Sequence, residues 1–152
     1  MTKTDEIIEK LKKEFTDSII QITPTEANYV AASIKQDIFL KFCKFLRDNL
    51  NFEHVSSVSA VDYKDHFTIV YHFYSYARIL TLELNVDVTR DDAKIPSVSA
   101  IWGGANWHER EQYDFFGIIF EGHPNLQRIM TPPGWEYFPL RKEYKVTGEL
   151  QA

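Results

Sequence analysis

The sequence predicts an α+β fold: a two-layer domain with helices packed on a mostly antiparallel sheet, followed by a short helix and an extended, loop-rich C-terminal tail. Three observations predict it. Two segments among the first 50 residues carry apolar side chains at helical spacing, and alternating segments follow between residues 54 and 87. All six glycines and all three tryptophans then lie after residue 100. With 152 residues, 44% of them hydrophobic, the chain is long enough for one domain with its own core.

The first third of the chain is predicted to hold two helices and two strands. Apolar residues at helical spacing indicate a short helix over residues 5–15 with Thr4 as its N-cap, which we expect to be a lid rather than a core element. Strands are predicted at 18–22 and 29–34, with the polar segment between them as a connecting turn. The broad apolar face of residues 36–50 predicts the main core helix.

The middle of the chain predicts strands. Alternation favours strands over residues 54–62, 67–76 and 78–87, and the last two are close enough in sequence to form a hairpin. From about residue 90 the segment TRDDAKIP is typical of a polar loop, and one or two helical turns are predicted at 97–102.

A third helix is predicted over residues 107–116. We expect Asn106 to cap it together with Glu109, and Gly117 to end it. After the short strand-like GIIF segment, frequent glycine and proline predict an extended tail over residues 121–152. Residues 1–152 are therefore interpreted as a single domain, with a helix-on-sheet core in residues 1–95 and the third helix with its docking tail in residues 96–152.

Composition excludes several classes of protein. With 17 basic and 22 acidic residues the formal net charge is -5, which argues against a nucleic-acid partner. No apolar run is long enough to span a membrane, so no direct membrane insertion is expected. The only cysteine, Cys43, allows neither an internal disulfide nor a four-thiolate iron–sulfur or zinc site in this chain, and a reduced, intracellular setting is expected.

The densest group of ionisable side chains is His108, Glu109, Arg110, Glu111 and Asp114. One hypothesis is a stand-alone metal- or carboxylate-dependent enzyme that uses the His108, Glu109, Glu111 and Asp114 cluster. Against it, the HExxH zinc motif is absent, and catalytic carboxylate pairs usually come from separate elements that flank a cleft. The other hypothesis is an ion-pair and capping network that holds Arg110 between carboxylates.

The glycine, proline and tryptophan residues after residue 100 favour a docking role. Proline rigidifies a backbone, and tryptophan and arginine are enriched at the centres of protein interfaces. A tail with a fixed shape loses less conformational entropy when it binds. The residues by themselves therefore predict a docking subunit.

Several stretches resemble one known family. Residues 107–117, WHEREQYDFFG, followed by EGHP at 121–124, closely resemble the signature of the 30 kDa subunit of respiratory complex I, the C subunit of bacterial NADH-quinone oxidoreductase. PLRKEY at 139–144 is similar to the PLRKDY tail of that family. The resemblance extends over about residues 29–145. Gln127 stands where the family usually has a basic residue or proline, and Glu143 replaces its aspartate.

The resemblance implies a non-catalytic, structural or assembly subunit of the peripheral arm of a complex I-like NADH (or related donor):quinone oxidoreductase. It implies a location on the cytoplasmic side of the membrane, docked onto the large hydrogenase-like subunit (the 49 kDa or D type) and near the iron–sulfur subunits. No cofactor and no metal are expected in this chain, because the iron–sulfur clusters, and flavin where a complex has it, belong to partner subunits. NADH, reduced ferredoxin, reduced deazaflavin and hydrogen all remain open as electron donors.

Two sets of residues carry the hypothesis. The family signature, expected to fix the helix and its loop, comprises Glu109, Arg110, Glu111, Asp114, Phe115, Phe116 and Gly117. The partner interface is expected to comprise His123, Pro124, Arg128, Pro139, Leu140, Arg141, Lys142 and Tyr144. No catalytic residue is assigned, and the simpler alternative for Glu109 and Glu111 is that they only support the fold.

Overall fold

The computed structural model describes residues 1–146, which form three α-helices, a five-stranded sheet and a separate pair of short strands. In chain order the elements are α1 (Lys3–Glu14), β1 (Ile19–Glu26), β2 (Tyr29–Ile34), a 3₁₀ turn (Gln36–Ile38), α2 (Phe39–Leu50), β3 (His54–Asp62), β4 (His66–Ser75), β5 (Leu80–Thr89), β6 (Lys94–Pro96), α3 (Ala105–Phe116) and β7 (Ile119–Glu121). The predicted α+β class, with helices packed on the sheet, is confirmed.

The large sheet has the strand order β1-β2-β5-β4-β3. All its neighbours are antiparallel except β2 and β5, which run parallel. Strand β3 has the predicted bounds, β4 lies within one residue of its prediction, and β5 within two. The predicted hairpin of β4 and β5 is confirmed by their continuous antiparallel register.

The core lies on one face of the sheet, under the helices. Alternate residues of β4 point into it, so Tyr71 contacts Phe39 of α2 with ring centroids 5.0 Å apart. Phe67 in the same strand contacts Phe116 of α3 at 5.7 Å. Both contacts belong to one hydrophobic cluster that includes residues on either side of position 95. The helix-on-sheet part and the segment after it therefore share a core.

The expectation that the N-terminal helix is a lid capped by Thr4 is wrong. Helix α1 begins two residues earlier, with Thr2 as its N-cap. The Thr2 hydroxyl accepts from the Asp5 amide at 3.1 Å, and the Asp5 carboxylate accepts from the Thr2 amide at 2.9 Å, which completes a capping box. Helix α1 is part of the core rather than a lid, because Ile7 and Leu11 are both fully buried.

The predicted turn between the first two strands is also wrong, because β1 continues through Pro24 and leaves only residues 27–28 to turn. β1 is an edge strand that pairs with β2 alone. Proline lacks the N–H that would donate to a neighbouring strand. It is tolerated on an edge strand, where one side of the strand has no neighbour to receive such a bond.

The segment predicted as a polar loop around residue 90 contains β6, which pairs in parallel with β7. The helical turns predicted at 97–102 are instead a hydrogen-bonded turn in which Ile101 and Trp102 both donate to the Val98 carbonyl. The indole of Trp102 donates to the Phe52 carbonyl at 2.8 Å and fixes this turn to the end of α2.

Among the described residues 1–146, every helix is too short or too polar to cross a membrane.

Candidate functional site

Helix α3 carries most of the candidate residues. Its N-cap is Gly104, without a side-chain capping bond, so the predicted cap formed by Asn106 and Glu109 is wrong: Asn106 already lies inside the first turn. Its end is as predicted, because Gly117 follows the helix in the left-handed region with φ 76°. The Glu109 side chain is thereby free for another role.

Glu109 joins α3 to the turn that follows β6. Its carboxyl group is fully buried, with Oε1 accepting from the Val98 amide at 2.7 Å and Oε2 from the Ser97 hydroxyl at 2.6 Å. Burial raises the pKa of Glu109 to about 7, although both hydrogen bonds act to lower it. Glu109 therefore connects α3 to residues 97–98, although burying its carboxyl group disfavours the ionised form.

Asp114 is also fully buried, and it faces the C-terminal tail. One carboxylate oxygen accepts from the amides of residues 129, 130 and 131 at 3.1, 2.7 and 3.0 Å. The other accepts from the Thr131 hydroxyl and from the Arg128 guanidinium, which lies at 2.9 Å. Burial opposes ionisation, but the Thr131 hydroxyl, the amides and Arg128 hold the pKa of Asp114 well below its usual range. We call this arrangement the Asp114 clamp.

A second carboxylate holds the tail further along. Asp62, at the end of β3, accepts from the amides of Lys64 at 2.8 Å and Lys142 at 2.9 Å. It also binds the guanidinium of Arg90, which reaches on to Glu143. Burial acts against ionisation here too, yet the bonds from Arg90 and the two amides lower the pKa of Asp62 to about 2.

Arg141 fixes the tail between these two points. Its Nε donates to the Phe116 carbonyl at 2.7 Å, and its guanidinium lies 4.6 Å from the centre of the Phe138 ring. The amide of Leu140 donates to the Phe115 carbonyl at 3.2 Å. Residues 122–146, which we call the strap, thus return to the domain at several points, although regular elements are absent from them.

Acid is expected to weaken the strap through Asp62. A carboxyl whose pKa is depressed in the folded state contributes stability above its unfolded pKa of about 3.9 and loses that contribution as the pH falls through its folded pKa. For a folded pKa of about 2 the contribution is about 2.6 kcal/mol. Urea unfolding midpoints measured from about pH 6 to about pH 2 should therefore fall more steeply for the wild type than for Asp62→Asn, and parallel curves would contradict this role of Asp62.

The predicted network around Arg110 is wrong. Its Nε donates to the Gln127 carbonyl at 3.0 Å, and its guanidinium lies 4.8 Å from the centre of the Trp107 ring. Within residues 1–146, Arg110 forms no ion pair with a carboxylate. Glu111 is partly exposed and also forms no salt bridge there. Arg110 therefore binds the strap through backbone carbonyls.

The structure does not assemble the cluster that a stand-alone enzyme would need. Glu109 faces residues 97–98, whereas Asp114 faces residues 129–131. In the part of the chain that is described, no three His, Cys, Asp or Glu side chains lie close enough together to hold a metal ion. Glu109 and Asp114 bind segments of their own chain instead.

The residues predicted to contact a partner fall into two groups. Three of them turn inward: His123 has a fully buried side chain, Arg128 binds Asp114, and Arg141 binds the Phe116 carbonyl. The others remain accessible in this chain, with Pro124, Leu140 and Lys142 exposed and Pro139 and Tyr144 partly exposed. A partner would therefore meet the second group first.

Several residues beside or bound to the strap were not assigned to the site from the sequence. Trp107 and Met130 are 63% and 67% exposed, next to residues that hold the strap. A tryptophan in the polar stripe of a helix is a signal that could have identified Trp107. Arg90 had no comparable signal, because its partners Asp62 and Glu143 are far away in the sequence.

Comparisons with known proteins agree on one family. The family model for the respiratory-chain NADH dehydrogenase 30 kDa subunit matches residues 32–150. The chain is 38% identical over 151 residues to the C subunit of the NADH-quinone oxidoreductase of Geotalea uraniireducens (strain Rf4), covering 97% of this chain and 92% of that protein. It is also 38% identical over 141 residues to the corresponding C subunit of Chlorobium phaeobacteroides (strain DSM 266), covering 90% and 85%.

Two solved structures share the fold. A chain of the membrane-bound sulfane sulfur reductase, an archaeal respiratory membrane complex, superposes with a TM-score of 0.84 at 22% identity, covering 95% of this chain and 87% of that one. A trypsin-resistant fragment of Nqo5 superposes with a TM-score of 0.69 at 25% identity, covering 80% and 98%.

Proposed function

The chain belongs to the family of 30 kDa subunits of respiratory-chain NADH dehydrogenases, and we propose on that basis that it is a non-catalytic subunit that docks onto a larger one. Membership in this family makes it a subunit of a complex I-like respiratory complex. The proposal adds that it lies in the peripheral arm, on the cytoplasmic side, and supplies shape and contacts rather than chemistry. The oxidoreductase reaction, from NADH or a related donor to quinone, then belongs to the complex as a whole.

The attachment of the strap is the observation that carries the proposal. Asp114, Asp62 and Arg141 fix the strap to the domain at three separate points. An interface segment that is ordered before binding loses less entropy when the complex forms. Of the carboxylates considered for catalysis, Asp114 holds the strap and Glu109 holds the turn after β6.

Exposed apolar side chains around α3 and the strap support a docking surface, which we define as Trp107, Met130 and Leu140 together with Pro124 and Lys142. The three large apolar members are 63%, 67% and 54% exposed. Tryptophan beside arginine is a common combination at the centre of interfaces, and Arg110 lies against the Trp107 ring.

The partner we propose is the large hydrogenase-like subunit of the 49 kDa or D type, with the iron–sulfur subunits as neighbours. The iron–sulfur clusters, and flavin in complexes that carry it, would lie in those chains. The electron donor, whether NADH, reduced ferredoxin, reduced deazaflavin or hydrogen, would likewise bind to partner subunits.

Charge on the docking surface should block assembly. With Met130 and Leu140 both replaced by aspartate, we expect the large subunit to co-purify with the tagged chain at least about tenfold less, because the new carboxylates would be buried without partners. The matched control is Ile20→Asp on β1, since Ile20 is 64% exposed but lies outside the residues matched by the family model. Equal recovery of the large subunit with both variants would overturn the docking surface and leave the family assignment intact.

A further inference from the structure

The carboxyl group of Glu109 is the one buried acid of α3 without a cationic partner. Asp114 is neutralised by Arg128 at 2.9 Å, whereas within residues 1–146 no lysine or arginine pairs with Glu109. Its only close donors are the Ser97 hydroxyl and the Val98 amide. A carboxylate that is removed from water with two neutral donors is poorly compensated, so its neutral form is accessible.

The groups that face Glu109 from other elements are uncharged. Cys43 of α2 and Tyr71 of β4 are both fully buried, and burial, together with the charge of Glu109, raises the pKa of the thiol and of the hydroxyl well above their ordinary values. Helix α3 packs on β3 and β7. The ionisable residues of these strands are His54 and Glu121, which are exposed, and Asp62, which binds Arg90. None of these three is paired with Glu109.

His123 is a close ionisable neighbour, with Nε2 3.9 Å from Glu109 Oε2, and both of its ring nitrogens have backbone hydrogen-bond partners. Nε2 lies 3.1 Å from the Asn106 carbonyl, which can only accept, so Nε2 must carry the hydrogen. Nδ1 accepts from the Asn125 amide at 3.0 Å. Both ring nitrogens are therefore bound to the backbone, whereas Glu109 Oε2 is bound to the Ser97 hydroxyl.

A chain of hydroxyl groups connects Glu109 to the surface. Ser97 Oγ lies 2.6 Å from Glu109 Oε2 and 2.8 Å from Ser99 Oγ, and both serines are partly exposed. The Ser99 amide also donates to Ser97 Oγ at 3.2 Å, which keeps both hydroxyl groups in line. Each hydroxyl can donate in one direction and accept in the other.

We propose that Glu109 is a proton-binding site of the folded chain, which exchanges its proton with solvent through the hydroxyl groups of Ser97 and Ser99. In the ionised form Ser97 donates to Glu109. On uptake, a hydronium ion of the solvent gives a proton to Ser99 and is left as water, the Ser99 proton passes to Ser97, and the Ser97 proton forms the O–H bond on Oε2; no electrons are transferred. Glu109 then donates to Ser97, and the hydrogen that Ser97 received from Ser99 lies in the bond between the two hydroxyl groups.

Proton binding changes how firmly the turn after β6 is held. The bonds from Ser97 and Val98 are charge-assisted when Glu109 is ionised and ordinary when it is neutral. The proton therefore alters the connection between this turn and α3, the helix that also carries Trp107. The inference does not depend on which partner covers the docking surface.

The site is tested by titrating the carboxyl groups of the intact chain, labelled with ¹³C at the glutamate side-chain carboxyl, from about pH 5 to about pH 9. One carboxyl should titrate near neutrality, disappear in Glu109→Gln and persist in Glu111→Gln, a matched change on the same helix. The wild-type titration decides the matter even where a variant fails to fold. If every wild-type glutamate is ionised throughout this range, the site is wrong.

The path is tested with Ser99→Ala, which removes the outer hydroxyl without touching Glu109. After a rapid pH jump, protonation of Glu109, followed by the C=O stretching band of the neutral acid, should be at least about tenfold slower than in the wild type. The titration midpoint should move little, because Ser97 and Val98 are unchanged. An unchanged rate would overturn the path through Ser99.

Discussion

Replacing Asp114 by alanine is expected to release the strap from α3 and to lower the free energy of unfolding by about 3–5 kcal/mol, the usual cost of removing one partner of a buried ion pair. Arg128 would keep its charge with its closest acidic partner gone, and the amides of residues 129, 130 and 131 would lose their common acceptor. Urea unfolding measures the loss of stability, and limited proteolysis should find new cleavage sites in residues 122–146.

Two further variants separate the parts of the Asp114 clamp. Asp114→Asn keeps the shape and one acceptor oxygen but loses the charge. Its free energy of unfolding should therefore lie between that of the wild type and that of Asp114→Ala. Glu121→Ala removes an exposed carboxylate on β7 and should change the unfolding free energy by less than about 0.5 kcal/mol. Wild-type resistance to proteolysis in Asp114→Ala would contradict the role given to the clamp.

The strands that sequence reasoning located are those with enough residues for alternation to be visible. β3, β4 and β5 have nine or ten residues each, and every second side chain of β5 is buried as far as Val88. β6 and β7 have three residues each, too few to show a period, and their pairing joins positions about 25 apart. The parallel pairing of β2 with β5 depends on the path of the intervening chain, which periodicity does not encode.

The candidate site was located in sequence, but its contacts could not be predicted. Helix α3 and the cap at Gly117 follow from local rules, and both are confirmed. The roles of Glu109 and Asp114 depend on segments 11 to 17 residues away, in a turn and a loop without regular structure. The same limit explains Arg110, whose expected carboxylate partners were its sequence neighbours but whose actual acceptor is the Gln127 carbonyl.

Gly117→Ala is expected to have the second large effect, because two separate costs fall on one methyl group. With φ at 76°, an alanine here costs about 1–2 kcal/mol in the left-handed region. Its Cβ would also lie 2.7 Å from the Phe138 ring and 2.9 Å from Arg141 Nη2, closer than such atoms approach. Relieving the overlap requires shifting the Phe138 ring and the Arg141 guanidinium, two side chains of the strap, so we expect a total loss of about 2–4 kcal/mol in urea unfolding.

Gly122 provides the control that separates these two costs. Its φ of 82° resembles that of Gly117, but nothing lies within 4 Å of the position a Cβ would take. Gly122→Ala should therefore lose only the left-handed cost, about 1–2 kcal/mol, and keep the strap resistant to proteolysis. Because the steric cost of Gly117→Ala acts through the strap, combining it with Asp114→Ala should cost less than the sum of the two single losses. If the losses of unfolding free energy are fully additive, Gly117 and Asp114 act independently. That outcome would contradict the idea that the Gly117→Ala methyl group acts through Phe138 and Arg141 of the strap.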